Sequence, residues 1–75
     1  MKSLREWRTE RLWSVRDLAA VAGVSTKTVV QTEHRRQLPT FRTMRRISDA
    51  LEATPTEIAE FAHALAERRG QSKAP

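Results

Sequence analysis

The chain contains no cysteine, so disulfides, thiolate zinc sites and thiol nucleophiles are excluded. That absence fits a reducing cytoplasm, and the expected location is cytoplasmic, at a prokaryotic nucleoid. No apolar run approaches the length of about 20 residues that a membrane span needs, nor that of a signal-peptide core, so no membrane partner is expected. Only two glycines and three prolines occur among 75 residues, which argues for an ordered, helix-rich chain. Internal repeats and low-complexity segments are absent. So are a glycine-rich phosphate loop, a nucleophile elbow and a triad order. An enzyme is therefore not expected, and neither is a cofactor. The length allows one small domain with a modest core, expected over residues 1–70 with a disordered tail at 71–75.

What is abundant is positive charge, and it is unevenly placed. The net charge is +5. Between Ser25 and Arg46 lie Lys27, Arg35, Arg36, Arg42, Arg45 and Arg46 against one acid, Glu33. The remainder of the chain holds eight basic and eight acidic residues and nets zero. A solvated charge run is the ordinary explanation for one basic cluster. One-sided charge that coincides with a structural motif is instead the footprint of a polyanion partner.

The motif is Val15 to His34, which reads as two short helices and a tight turn. Ser14 is an N-cap with Asp17 three residues on, a capping box with Asp in place of Glu. Val15, Leu18, Ala19 and Ala22 recur at helical spacing. Gly23 can take the left-handed conformation that ends a helix, and Ser25 caps the next one. On that second helix Val29 and Thr32 point one way, with Val24 just before them. Lys27, Val30, Gln31 and His34 share the other face at i, i+3, i+4 and i+7. Lys and Gln around an apolar patch suit the edges of base pairs.

The flanking segments complete five helices. Ser3-x-x-Glu6 is a capping box for the first, which should run from Ser3 to about Arg11, and Trp7 and Trp13 read as core anchors. Thr40 should cap the fourth after the loop from Arg35 to Pro39, with Phe41, Met44, Ile47 and Leu51 as its buried stripe. Thr54-Pro55-Thr56-Glu57 reads as the start of the fifth. Its stripe is Ile58, Phe61, Ala62 and Leu65, and Gly70 should end it. Glu57, Glu60 and His63 lie three apart, and Glu60-x-x-His63 has a metal-pair spacing. A solvated polar face is the expected reading, and no metal site.

Leu18-Ala19, Gly23-Val24-Ser25, Thr28-Val29 and Glu33 together resemble the helix-turn-helix of the lambda repressor and Cro (XRE-type) family. Leu38-Pro39-Thr40-Phe41 and Ile47-x-x-Ala50-Leu51 are similar to that family's loop and fourth helix. The resemblance runs from about Leu4 to Phe61. It implies an all-α five-helix bundle that reads double-stranded DNA with helix three, residues 25–34, in the major groove, as a small transcriptional regulator. By the same resemblance Thr26, Lys27 and Gln31 are base readers, flanked by Thr28 and Val30, where Val30 could touch a thymine methyl. Arg35, Arg36, Gln37, Thr40 and Arg42 would hold phosphates. His34 reads as a phosphate or base contact or a helix C-terminal charge partner. Arg8 has a family counterpart that pairs with the acid near the end of helix three, here Glu33.

Two departures stand out. Val15 replaces the glutamine whose amide contacts phosphate in the resembled family, so either backbone amides alone or Arg16 must serve. Arg35 stands where the family often has glycine, so the helix is expected to run on or end in a different turn. These departures keep a second reading open: a protein-interaction module of the same fold, antitoxin-like or adaptor, that does not read DNA specifically. One recognition helix covers few base pairs, so a homodimer is expected, forming on DNA. Phe61 and Leu65 are its contact candidates, or else core. With no room for an effector domain, no small-molecule effector is expected.

Overall fold

Hydroxyl caps set most helix starts, and left-handed residues set the ends. The computed structural model describes residues 1–72. It is all-helical over that range, with α1 at Leu4–Glu10, α2 at Val15–Ala22, α3 at Thr26–Glu33, α4 at Phe41–Leu51 and α5 at Ala59–Ser72. Ser3, Ser14, Ser25 and Thr40 cap the first four, each side-chain oxygen accepting the N–H three residues on. The five-helix bundle expected from the sequence is present, with α2 and α3 as its helix-turn-helix. Among the described residues no helix is long and apolar enough to cross a membrane.

The start of α5 departs from expectation. Thr54-Pro55-Thr56-Glu57 closes only a 3-10 turn over Pro55–Glu57, with Thr54 N–H donating to Glu57 Oε1 at 2.9 Å. Ile58 then swings into extended backbone (φ −100°, ψ 121°) and bridges Lys2 in parallel, while Ala59 N–H donates to Lys2 O at 3.0 Å. Burying Ile58 completely in that extended form postpones the helix to Ala59. The inward face of α5 is therefore Phe61 and Ala64, with Ala62 and Leu65 only half-buried. At its other end α5 continues through Gly70 to Ser72. Residues 73–75 of the expected tail lie outside the described residues.

One core joins all the helices: Leu4, Leu18, Val29, Ile47, Leu51, Ile58, Phe61 and Ala64 are fully buried, with Ala19, Ala22 and Met44 nearly so. Phe41 does not belong to it. It is 58% exposed, because as the first residue of α4 it lies beyond the core's edge, with the Arg68 guanidinium over its ring at 5.0 Å. The two tryptophans are half-buried at the periphery. Trp7 Nε1 donates to Glu57 O at 3.2 Å under the Lys2 ammonium, 4.2 Å from its ring centre. Arg11 stands about equally far from both rings, at 6.0 and 5.9 Å, and donates to Leu51 O, so it clamps α1 to the end of α4.

Four helix ends use a left-handed residue: Leu12 (φ 58°), Gly23 (φ 72°), Arg35 (φ 55°) and Glu52 (φ 55°). Arg35 thus adopts the conformation that its lack of glycine argued against. The reason is a paired capping bond, Arg36 N–H to Gln31 O at 3.0 Å and Arg35 N–H to Thr32 O at 3.2 Å, which satisfies carbonyls otherwise left open. The same two bonds recur after Leu12 and Glu52. Each non-glycine residue here costs about 1–2 kcal/mol. Leu12 is 91% exposed, so Leu12→Gly loses no packing. It should stabilise the fold by about 0.5–1 kcal/mol after the greater chain entropy of glycine is deducted, raising Tm by several degrees. A thermal melt with unchanged or lowered Tm would contradict this account of the turn.

The caps also set the acid sensitivity. Backbone N–H bonds from Ser3, Ser14 and Thr54 hold the carboxyls of Glu6, Asp17 and Glu57 below their ordinary values of 4.5, 3.8 and 4.5, and the cap side chains add to the effect. A carboxyl lowered on folding contributes stability above its unfolded value and loses it as pH falls through the folded value. Stability should therefore decline below about pH 4.5. Replacing the three by Gln, Asn and Gln should flatten that decline in denaturant titrations at successive pH values.

Candidate nucleic-acid interface

The turn between α2 and α3 is built tightly. Asp17 N–H donates to Ser14 Oγ at 3.0 Å and Ser14 N–H to Asp17 Oδ2 at 2.9 Å, which starts α2. The N–H groups of Gly23 and Val24 both donate to Ala19 O, at 2.9 and 3.0 Å, which ends it. Glycine suits position 23, where φ is +72°, and a Cβ there would stand 3.3 Å from Arg46 Nη1, the end of a flexible side chain. Arg46 Nη1 itself donates to Gly23 O at 2.9 Å, tying α4 to the turn. On α3, Val29 and Thr32 face inward and are buried, and Thr32 Oγ1 donates to Thr28 O at 2.8 Å.

What remains outward is a ridge with a hollow on each side. Thr26 and Lys27 are exposed, Val30 is 36% exposed, and Thr28 and Gln31 are half-buried. Val30 and His34 line a hollow of about 380 Å³ with Arg5, Arg8, Val15 and Glu33. Thr28 and Gln31 line a cleft of about 190 Å³ whose other wall includes Gln37, Leu38 and Thr40. The 100° helical step puts Lys27 on the crest between Val30 and Gln31. The single face expected for Lys27, Val30, Gln31 and His34 is thus divided between a crest and two flanks. Val15 lines the hollow with Val30, so the first turn of α2 presents a small apolar surface there.

Around the ridge sit the other expected contacts. Arg16 is exposed on the first turn of α2, and His34, Arg35, Arg36 and Gln37 are exposed where α3 ends. Arg42 is exposed on the first turn of α4. Among the described residues, no side-chain hydrogen bond or ion pair holds Arg16, Lys27, Arg35, Arg36 or Arg42. Two hydroxyls are less free. Thr28 Oγ1 lies 2.8 Å from Ser25 Oγ, and Thr40 Oγ1 donates to Thr43 Oγ1 at 3.1 Å while accepting Thr43 N–H. Arg5, not singled out from sequence, adds a cation to the Val30 hollow. Its i, i+3 spacing from Arg8 was the available signal.

The one acid of the basic segment is neutralised from below. Arg8 Nε donates to Glu33 Oε2 at 2.7 Å, and Arg8 Nη2 to Glu33 Oε1 at 3.2 Å. Arg8 Nη1 donates to Trp13 O at 2.9 Å. The two side chains are only 11% and 8% exposed. With Glu33 paired inward, the ridge and its surroundings present unopposed positive charge.

The acids and histidine of α5 and its approach are dispersed. Glu60 is buried and accepts Leu4 N–H at 2.8 Å, so it serves the start of α1. Glu57 is held by Thr54, and His63 Nε2 lies 3.8 Å from Glu67 Oε1 on an exposed face. No group of three or more potential ligands comes together among the described residues. Phe61, one of the two dimer candidates, is fully buried core and offers no surface to a second copy, because α5 turns it straight onto the core. Leu65 stays half-buried at the surface.

A helix-turn-helix domain family matches this chain over residues 3–61. No curated protein and no solved structure matches it.

Proposed function

This chain belongs to the helix-turn-helix domain family, and on that premise we propose that it binds double-stranded DNA sequence-specifically as a small, non-enzymatic transcriptional regulator. A helix-turn-helix domain suggests DNA binding. The observation that carries the finer reading is the exposed crest of α3 standing among cations that have no partner of their own. Lys27 and Gln31, with Thr26, Thr28 and Val30 beside them, meet base edges in the major groove. Arg16, His34, Arg35, Arg36, Gln37, Thr40 and Arg42 meet phosphates and set register. A two-fold dimer formed on DNA doubles the readout and makes the target a near-palindrome with half-sites about 10 base pairs apart.

Selection from random-sequence duplexes, followed by sequencing of what is retained, tests this reading. An enriched motif supports it. Retention without enrichment favours a protein-interaction module of the same fold. On the enriched site, Lys27→Ala and Gln31→Ala should each lose about 1–3 kcal/mol and relax the choice at particular base pairs. Arg36→Ala should weaken binding to all sequences alike. Were Arg36→Ala to change the preferred sequence and Gln31→Ala to leave it intact, the reading face would have to be reassigned.

A further inference from the structure

A groove of about 390 Å³ opens between α4, the 3-10 turn and α5. None of its lining residues belongs to the DNA-facing set. Its walls include Phe41, Met44 and Leu65, with Arg45, Ser48 and Asp49 along one side. The volume falls within the range of about 300–1,000 Å³ typical of small-molecule sites.

Three polar groups in this groove lack partners. Ser48 is 2% exposed, and its Oγ is buried with no hydrogen bond. A helical serine usually relieves that deficit on the carbonyl four residues back, and Ser48 does not. An orphan hydroxyl of this kind is costly to bury, a cost that a ligand able to bond it would remove. Arg45 and Asp49 are exposed and four residues apart, the spacing of a helical ion pair, yet neither bonds the other or any other described side chain. The basic residue comes first, the less favourable order for such a pair. A cation and an anion about 5–6 Å apart at their Cβ atoms are thus left beside an apolar groove whose wall includes Ser48.

We infer that this groove binds a free α-amino acid with an apolar side chain. Arg45 takes its carboxylate, Asp49 its ammonium and Ser48 Oγ one further hydrogen bond, while Phe41, Met44 and Leu65 enclose the side chain. A residue within a peptide carries neither charge, so the two unpaired groups select the free amino acid over a segment of a protein partner. This site does not depend on the reading of DNA.

The test is a titration of the full ¹⁵N-labelled chain with L-leucine, L-methionine and L-phenylalanine, followed by amide chemical shifts. Saturable shifts at millimolar ligand, confined to residues 41–49, 55–56 and 65, are expected. Isopentylamine and 4-methylpentanoate, each lacking one charge, should bind about tenfold more weakly than L-leucine or worse. Arg45→Ala and Asp49→Asn, both at exposed positions, should weaken L-leucine by a similar factor. Ser48→Ala should weaken it too, while raising the Tm of the unliganded protein. No saturable shift with any of the three amino acids would overturn the assignment. So would equal affinity for the singly charged analogues, or undiminished binding by Ser48→Ala.

Discussion

Raising the salt concentration from about 50 to 200 mM should weaken binding to duplex DNA by about 10²–10⁴-fold, a log–log slope of about −4 to −7. The expectation follows from counting groups that can displace counterions. Lys27, Arg35, Arg36 and Arg42 are free on α3, its loop and the start of α4, with Arg16 and Arg5 on the neighbouring helices. His34 and helix-terminal N–H groups add weaker contacts. Arg46 does not enter the count, because its guanidinium is committed to Gly23 O. Fluorescence anisotropy over a salt series measures the slope directly. A slope near zero would show that these cations do not meet phosphates and would remove the electrostatic basis of the proposed function.

Glu33→Ala should destabilise the fold by about 3 kcal/mol or more, the scale found when one partner of a buried pair is removed. It should lower Tm by more than about 10 °C in a domain of this size. Arg8 would keep its bond to Trp13 O and lose both bonds to the carboxylate, leaving a cation 11% exposed without a counter-charge. Removing both partners should be less damaging than the sum of the two single changes. A double-mutant cycle of Glu33→Ala with Arg8→Ala measures the coupling, and a coupling of zero would assign the pair no part in holding α1 to α3.

Much of this molecule is local, and local features read well from sequence. Ser3, Ser14, Ser25 and Thr40 all cap where spacing placed them, because a hydroxyl three residues before its target N–H needs nothing from the rest of the fold. Gly23 ends α2 for the same kind of reason. The inward turn of Val29 and the outward turn of Lys27 follow from helical periodicity alone.

The features that spacing misplaced depend on partners distant in the chain. Thr54-Pro55-Thr56-Glu57 carries a sound helix-start signal, but Lys2, more than fifty residues earlier, pulls Ile58 into a bridge and delays α5. Phe41 fits the stripe of α4 and is left outside the core. Arg35 is a local exception: its residue type disfavours the left-handed form, and the capping bonds to Thr32 O and Gln31 O, three to five residues back, supply the reason for it. Glu60 reads as a solvated acid and is instead buried, bonded to Leu4 N–H across 56 residues of sequence.

Sequence alone thus determined the all-helical class, four of the five helix starts, the segment that carries excess positive charge and the helix that presents it. Those properties rest on periodicity, caps and composition, which act over a few residues. Tertiary structure alone decided that the α3 face divides into a crest and two hollows, that Arg46 is spent on the turn, and that Arg45, Ser48 and Asp49 stand unpaired beside an apolar groove. Which polar groups remain free depends on which distant groups have already claimed their neighbours, and only the packed chain brings those claims together.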